Sequence, residues 1–326
     1  MKGAHQPAAT SRGWFLIALR WAAALFVLGV LFHFLPFATL RTAVARIPPA
    51  RFLIVLFLYL CAHCVGVLKW RMVVNAAGAA LDLATSAQCY FGGLFGTLFL
   101  PSIVGGDVIR LAVGLRKSPR PAAVLAGNLA DRFLDFSAQA GLVVVGLFLL
   151  PGSLPQAWRE RAIHYLLVLI VAGLIGLLLV LAIYRAVVKR SSRKLRRGIV
   201  RLRHALRSVK RRPVVLIAGW LTATLIQFTF LVLTALLAIS CGLALPLRVW
   251  LFAWPLAKLA AVLPLTQGGI GVREAALVAL LAPFGAPGAL VLASGLVWEG
   301  IVISGGLLSG LLALLQRQFS SSEKMS

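Results

Sequence analysis

The chain has 326 residues, 61% of them hydrophobic, with a mean hydropathy of +0.96 and a formal net charge of +25. Soluble domains are about 45–50% apolar, so composition excludes an ordinary soluble fold, and the apolar residues come in blocks rather than in alternation, which argues against a β-barrel. The charge does not call for nucleic acid: 13 of the 33 Lys and Arg residues lie in Arg185–Arg212, between two apolar runs and without an acid, as the positive-inside rule describes.

In chain order, the first apolar run is Trp14–Pro36, whose ionisable groups are Arg20 and His33. It is longer than the apolar core of a secretory leader and lacks a small-residue cleavage site, so it reads as a retained span. A span needs roughly 20 mostly apolar residues. Full spans are expected at about 14–36, 51–73, 122–150, 163–184, 214–241 and 289–315. Two shorter apolar pieces, Ser86–Leu100 and Trp250–Leu265, each end in a Pro/Gly-rich break followed by a second short apolar piece.

Basic residues set the expected sides. Lys2, Arg12 and Arg20 put the N-terminus inside, and Lys69 with Arg71 returns the second span there. Arg110, Arg116, Lys117 and Arg120 then make Ser86–Leu115 a hairpin that enters and leaves from the cytoplasm. The block 185–212 is expected as a basic cytoplasmic loop, Trp250–Phe284 as a hairpin entered from outside, and Arg317 and Lys324 place the C-terminus inside. Arg41, Arg46 and Arg51 run against this scheme, which puts them outside.

The expected fold is therefore an all-α polytopic membrane protein. It forms one transmembrane domain over 1–326, an inverted repeat with halves at about 1–155 and 156–326. About six full spans are joined by two broken or re-entrant helical hairpins. The repeat is legible in residues: Leu100-Pro101-x3-Gly105-Gly106-x3-Arg110 recurs as Leu263-Pro264-x3-Gly268-Gly269-x3-Arg273. Gly127-x3-Asp131 is echoed by Gly295-x3-Glu299. Interrupted hydrophobic segments at matching positions of two halves are a pointer to a transporter binding site.

Five of the eight acids, Asp107, Asp131, Asp135, Glu274 and Glu299, fall in breaks or spans. A charge at mid-membrane costs at least about 2.5–3.5 kcal/mol, so such residues face a partner or a wet cavity. Asn128, Asp131, Arg132 and Asp135 share one helical stripe. At the first break, Pro101 ends a half-helix, Gly105 and Gly106 permit close backbone approach, Asp107 can cap the next half-helix, and Arg110 can offer a phosphate fork. Gln267, Gly268, Gly269, Arg273 and Glu274 read the same way at the second break, with Arg273-Glu274 either binding a headgroup or forming an internal pair. Lys258 has two readings, snorkelling or facing the hairpin; Gln227 reads as interhelical glue. Cys61, Cys64, Cys89 and Cys241 read as small apolar residues, since Cys61-Ala62-His63-Cys64 supplies half of a zinc ligand set. No metal and no cofactor are expected, and no Ser/His/Asp or Cys/His arrangement stands out.

At Leu100-Pro101-x3-Gly105-Gly106-Asp107-x2-Arg110, Asp131-Arg132-x2-Asp135 and Pro264-x3-Gly268-Gly269-Ile270-Gly271-Val272-Arg273-Glu274, the sequence resembles the lysylphosphatidylglycerol synthase transmembrane-region family, also called flippase-like domain proteins. The resemblance implies a bacterial or archaeal inner-membrane protein of the kind that moves lipids. In better-understood relatives an aminoacyl-transferase domain accompanies this region; none is expected within these 326 residues, so lysyl-lipid synthesis is not carried over.

The expected function is translocation of an anionic phospholipid or a polyprenyl-phosphate-linked lipid. Arg110, Arg132 and Arg273 would contact phosphate, and the five acids would balance them or carry protons. The expected partner is the anionic headgroup of a membrane lipid, with a homo-oligomer or a lipid-biosynthesis partner left open. Two alternatives stand beside it: a membrane enzyme on a lipid-linked substrate, with Asp131 and Asp135 on a metal, and a non-catalytic partner in a lipid-processing complex.

Overall fold

The computed structural model describes residues 25, 29, 37–100, 105–150, 160, 167, 193–262, 266 and 269–322. The expected spans at 14–36 and 163–184, and residues 101–104, 263–265, 267 and 268 of the two breaks, lie outside the described residues or nearly so. The described residues are helical, with no strand among them. In order they form α1 (Phe37–Ala45), α2 (Pro49–Ala76), α3 (Leu83–Thr97), α4 (Gly105–Lys117), α5 (Pro121–Phe148), α6 (Arg193–Lys210), α7 (Pro213–Ser240), α8 (Leu247–Ala260), α9 (Val272–Leu281), a 3-10 turn (Ala282–Phe284) and α10 (Gly288–Ser322).

The starts of these helices are written in the sequence. Pro49, Pro121 and Pro213 open α2, α5 and α7, where a missing N–H costs nothing and the fixed φ suits the helix. Asp82 caps α3 by accepting from the Thr85 amide at 3.3 Å, and its bonds from Thr85 hold the carboxyl below its ordinary value. Among the described residues, three helices are long and apolar enough to cross a membrane: Pro49–Ala76, Pro213–Ser240 and Gly288–Leu315, at mean hydropathies of 2.2, 2.0 and 1.7. They coincide with expected spans 51–73, 214–241 and 289–315. The expected span 122–150 is the 28-residue helix α5, whose length matches theirs but which carries Asp131, Arg132 and Asp135 at its middle.

The basic stretch expected as a loop is helical over Arg193–Lys210. Leu202, Ala205 and Val209 form its packed stripe, and the Ser208 hydroxyl donates to the Ala76 carbonyl at 3.0 Å. Arg197, Arg201 and Lys210 lie on its exposed side. At the other end of α7, Arg51 donates to the Ser240 hydroxyl at 2.6 Å, so the start of α2 and the end of α7 are tied at the same level.

Glycine sets the closest helix approaches. Gly127 of α5 lies against Val74 of α2, and a Cβ there would come within 2.8 Å of the Val74 Cγ1. Gly146 of α5 lies against α8, where a Cβ would sit 2.7 Å from the Leu251 carbonyl carbon and 2.8 Å from the Phe252 Cα. Because the obstacle is backbone, no rotamer change relieves it. Gly146→Val should therefore destabilise the protein by at least about 1–3 kcal/mol, the usual cost of overpacking. Thermal melting in detergent would show this, and a wild-type melting point for Gly146→Val would contradict the α5–α8 packing described here.

Candidate functional site

Both Gly-rich breaks lead to one internal cavity of about 380 Å³. Gly106, Asp107 and Arg110 of α4 reach it from the first, and Ile270 and Arg273 from the second. Arg132 and Asp135 of α5 and Glu299 of α10 complete the charged part of the wall. Asp131 and Glu274 are fully buried directly behind it, paired with wall residues. Leu98, Phe99, Ile303 and Leu307 supply an apolar part of the same lining.

The first ionic cluster joins α2, α4 and α5. The Lys69 ammonium lies between two carboxylates of α5, 2.9 Å from Asp131 Oδ1 and in direct contact with Asp135. Arg132 reaches Asp107 Oδ2 at 3.1 Å, Asp135 Oδ2 at 3.2 Å and Asp131 Oδ2 at 3.4 Å. Arg110 lies 3.5 Å from Asp107 Oδ1 and 3.9 Å from Asp131 Oδ2, with its guanidinium 4.2 Å from the Tyr90 ring centroid. Five of the six side chains are buried or nearly so and Arg132 is partly exposed, and three cations face three carboxylates.

The second cluster is smaller. Gly269 and Gly271 adopt φ of 80° and 84°, a region that glycine enters without strain, and so turn the chain into α9. The Gly271 amide donates to Glu274 Oε2 at 2.7 Å. Arg273 Nη2 then bridges Glu274 Oε1 at 2.5 Å and Glu299 Oε2 at 2.7 Å. Of the two expectations for Arg273-Glu274, the internal pair is the one seen. Gly295 makes room for it, because a Cβ there would lie 2.9 Å from Glu274 Cγ.

Several expected residues serve helix packing, Gly106 in addition to lining the cavity. Asn128 accepts from the Trp70 indole N–H at 3.0 Å, a contact between α5 and α2. Gly105 and Gly106 act as close-packing positions: a Cβ on Gly105 would meet Leu100, and one on Gly106 the Gly93 carbonyl. Gln267 and Gly268 lie outside the described residues.

Other residues take a place in the site that the sequence reading left open or did not assign. Lys69 was expected as a mark of the cytoplasmic boundary; it is only 4% exposed and ion-paired, so it carries no information about sidedness, and the same holds for buried Arg110. Its signal was a cation followed closely by Trp70 and Arg71 at the end of an apolar run, which is also what an interfacial anchor looks like. His63, far from both breaks in sequence, lines the cavity, with Nδ1 3.3 Å from the Tyr90 hydroxyl, whereas Cys61 and Cys64 are exposed. The three therefore do not converge. Lys258 faces inward and donates to Gln227 Oε1 at 2.8 Å, resolving its two readings in favour of the interior.

The wall carries hydrogen-bonding atoms without a hydrogen-bond partner among the described residues: Arg110 Nε, Trp254 Nε1, His63 Nε2 and Gln139 Oε1. Orphaned polar atoms in a low-dielectric interior are costly unless a ligand or water meets them. The aromatic faces are partly engaged by the protein's own cations: Arg110 over Tyr90, Lys258 over Phe230 at 5.1 Å and Arg273 over Trp254 at 5.6 Å. A cage for a quaternary ammonium needs free ring faces; this wall instead offers N–H donors and positive charge. At Asp131 and Asp135, the Lys69 ammonium occupies the position between the carboxylates that a metal would need.

The fold and this site define a helical membrane protein with a charged cavity inside its bundle. The chain belongs to the lysylphosphatidylglycerol synthase TM region family, whose model matches residues 15–310. Membership places it among membrane proteins of lipid metabolism or transport. Neither the curated proteins nor the solved structures contain a match to it.

Breaking one partner of a buried ion cluster leaves an uncompensated charge, at a cost of about 3–5 kcal/mol. Lys69→Met should lower the melting point sharply, and Lys69→Met combined with Asp131→Asn should recover part of the loss. If Lys69→Met melts like the wild type, the ammonium is not held between the two carboxylates.

Proposed function

We propose that the protein is a lipid carrier, a flippase that moves an anionic phospholipid or a polyprenyl-phosphate-linked lipid across a bacterial or archaeal inner membrane. In this reading the two halves are an inverted repeat of six spans. The segments α3–α4 and α8–α9 are its two re-entrant hairpins, opening to opposite sides, and both termini are cytoplasmic. The headgroup occupies the cavity while its chains follow the apolar lining at Leu98, Phe99, Ile303 and Leu307. Movement is passive or ion-coupled.

The observation that carries the proposal is Lys258. Lys69, Arg110, Arg132 and Arg273 are each paired with a carboxylate. Lys258, on the same wall, has the neutral Gln227 oxygen at 2.8 Å and the Phe230 ring, and no carboxylate, among the described residues. A cation without a counter-ion inside a membrane is expensive, and a phosphate would supply one. The unpartnered Arg110 and Trp254 N–H groups are donors suited to its oxygens. This revises the expected roles: Lys258 with Arg110 holds the phosphate, while Arg132 and Arg273 are committed to the acids that surround them. The Lys69 ammonium between Asp131 and Asp135 favours carriage over metal-assisted catalysis there.

The test is translocation of headgroup-labelled lipids in proteoliposomes, comparing wild type with Lys258→Met, Lys258→Arg, Arg110→Ala, Arg273→Ala and Asp107→Asn. Lys258→Met should slow transport at least about tenfold, equivalent to roughly 1.4 kcal/mol, and Lys258→Arg should keep most of it. Absence of wild-type transport for phospholipid and polyprenyl-phosphate probes, with and without a proton gradient, would overturn the proposal.

A further inference from the structure

A second recess, on the other side of the α3–α4 pair, is not used by the carrier reading. It measures about 470 Å³ and is enclosed by α3, α4 and α10, within the range of roughly 300–1,000 Å³ typical of small-molecule sites. Each helix presents one stripe to it. Gln88, Gly92 and Phe95 come from α3, and Gly310, Ala313 and Leu314 from α10. The α4 stripe runs Ile109, Val113, then Arg116 and Lys117, a spacing of four, seven and eight residues that keeps them on one helix face. Along α4 the lining therefore passes from apolar to basic over about 12 Å, at 1.5 Å per residue.

The recess and the cavity are separate places that share walls. On α3, Gly93 faces the cavity and Gly92 the recess; on α4, Arg110 and Ile109 divide in the same way. Between them the two helices are closed by Ile109 against Gly96, where a Cβ would lie 3.0 Å from Ile109 Cγ1. Among the described residues the lining of the recess contains no acid. Asp82, at the start of α3, interacts with Lys117, and Lys117 also donates to Gln88. Arg116 is exposed and takes part in none of the ion pairs among the described residues. A slot with apolar walls and a basic mouth is complementary to one kind of molecule abundant around a membrane helix, a lipid with an apolar chain and a negative head.

We infer that this recess is a binding site for one anionic phospholipid of the surrounding bilayer, with an acyl chain along Phe95, Ile109, Val113 and Leu314 and its phosphate on Arg116 and Lys117. The site does not depend on what the central cavity carries. Its bland competitor is that the two cations merely complement the C-terminal end of α4. That role would not discriminate between lipids.

The experiment uses the full chain in mixed micelles containing phosphatidylglycerol or phosphatidic acid against phosphatidylcholine, with retained lipids counted by native mass spectrometry. Wild type should retain an anionic lipid in preference to phosphatidylcholine. Arg116→Ala with Lys117→Ala should weaken that retention by about tenfold or more, given about 1 kcal/mol for each basic residue near anionic lipid. Ala313→Trp, which fills the slot, should lower retention of both kinds. Equal retention of anionic and zwitterionic lipid by wild type, or unchanged retention in the double variant, overturns the inference. A measurement on wild type alone guards against misfolded variants: phosphatidylglycerol with a photoactivatable acyl chain should mark peptides containing Phe95, Val113 or Leu314. Adducts confined to other helices would also overturn it.

Discussion

A membrane interior does not tolerate a charge without a partner, and the arrangement of this bundle follows from that constraint. Lys69 on α2 satisfies two carboxylates of α5 at once. Arg132 on α5 reaches across to Asp107 on α4, and Arg110 returns from α4 to Asp131. Three helices are thereby fixed in register by six side chains, in a region where lipid supplies little hydrophobic drive for helix association. Buried ion pairs rarely add net stability over well-packed apolar residues, because desolvation offsets the Coulombic gain. Their worth here lies in specificity: sliding α4 along α5 by one turn would strand Asp107 and Arg110 together.

The sequence made the parts visible but not all of their uses. Helical blocks, both breaks and the five intramembrane acids could be read because each is a local signal: an apolar run, a Pro/Gly interruption, a charge where charge is costly. That Asp107, Arg110, Arg132, Asp135, Arg273 and Glu299 share one cavity could be anticipated only from the repeated spacing of the two breaks. Lys69 and His63 escaped, and Lys258 stayed open between two readings, because their partners are remote in sequence: Lys69 meets Asp135, and Lys258 meets Gln227. A lone lysine near the end of an apolar run looks the same whether it snorkels outward or turns inward, and only packing decides.

The glycines show a different kind of gap. Glycine beside a break suggests backbone laid open to a ligand, yet Gly106 brings α4 against Gly93 of α3 and leaves no room for a methyl. The same residue type serves exposure and closure, and sequence pattern does not distinguish them. One consequence is that Gly106 contributes backbone to the cavity wall, with the side-chain contacts left to Arg110 and Tyr90.

Counting charge around the whole cavity adds a constraint to the carrier reading. Among the described residues, Lys69, Arg110, Arg132, Lys258 and Arg273 face Asp107, Asp131, Asp135, Glu274 and Glu299, so these ten groups, fully ionised, are neutral together. Yet the balance is uneven: the first cluster is neutral by itself, Arg273 is shared by two glutamates, and Lys258 stands apart beside Gln227. A phosphate arriving at Lys258 satisfies that cation but leaves the glutamate pair with one negative charge in excess. In a low-dielectric interior an excess charge is strongly penalised. The carried anion must therefore bring a positive charge of its own or be accompanied by a proton. Glu299 is where that proton would act, because it lines the cavity while Glu274 is sealed behind Arg273 and the Gly271 amide. On the proposed carrier reading, a proton on Glu299 would restore neutrality and leave Arg273 paired with Glu274.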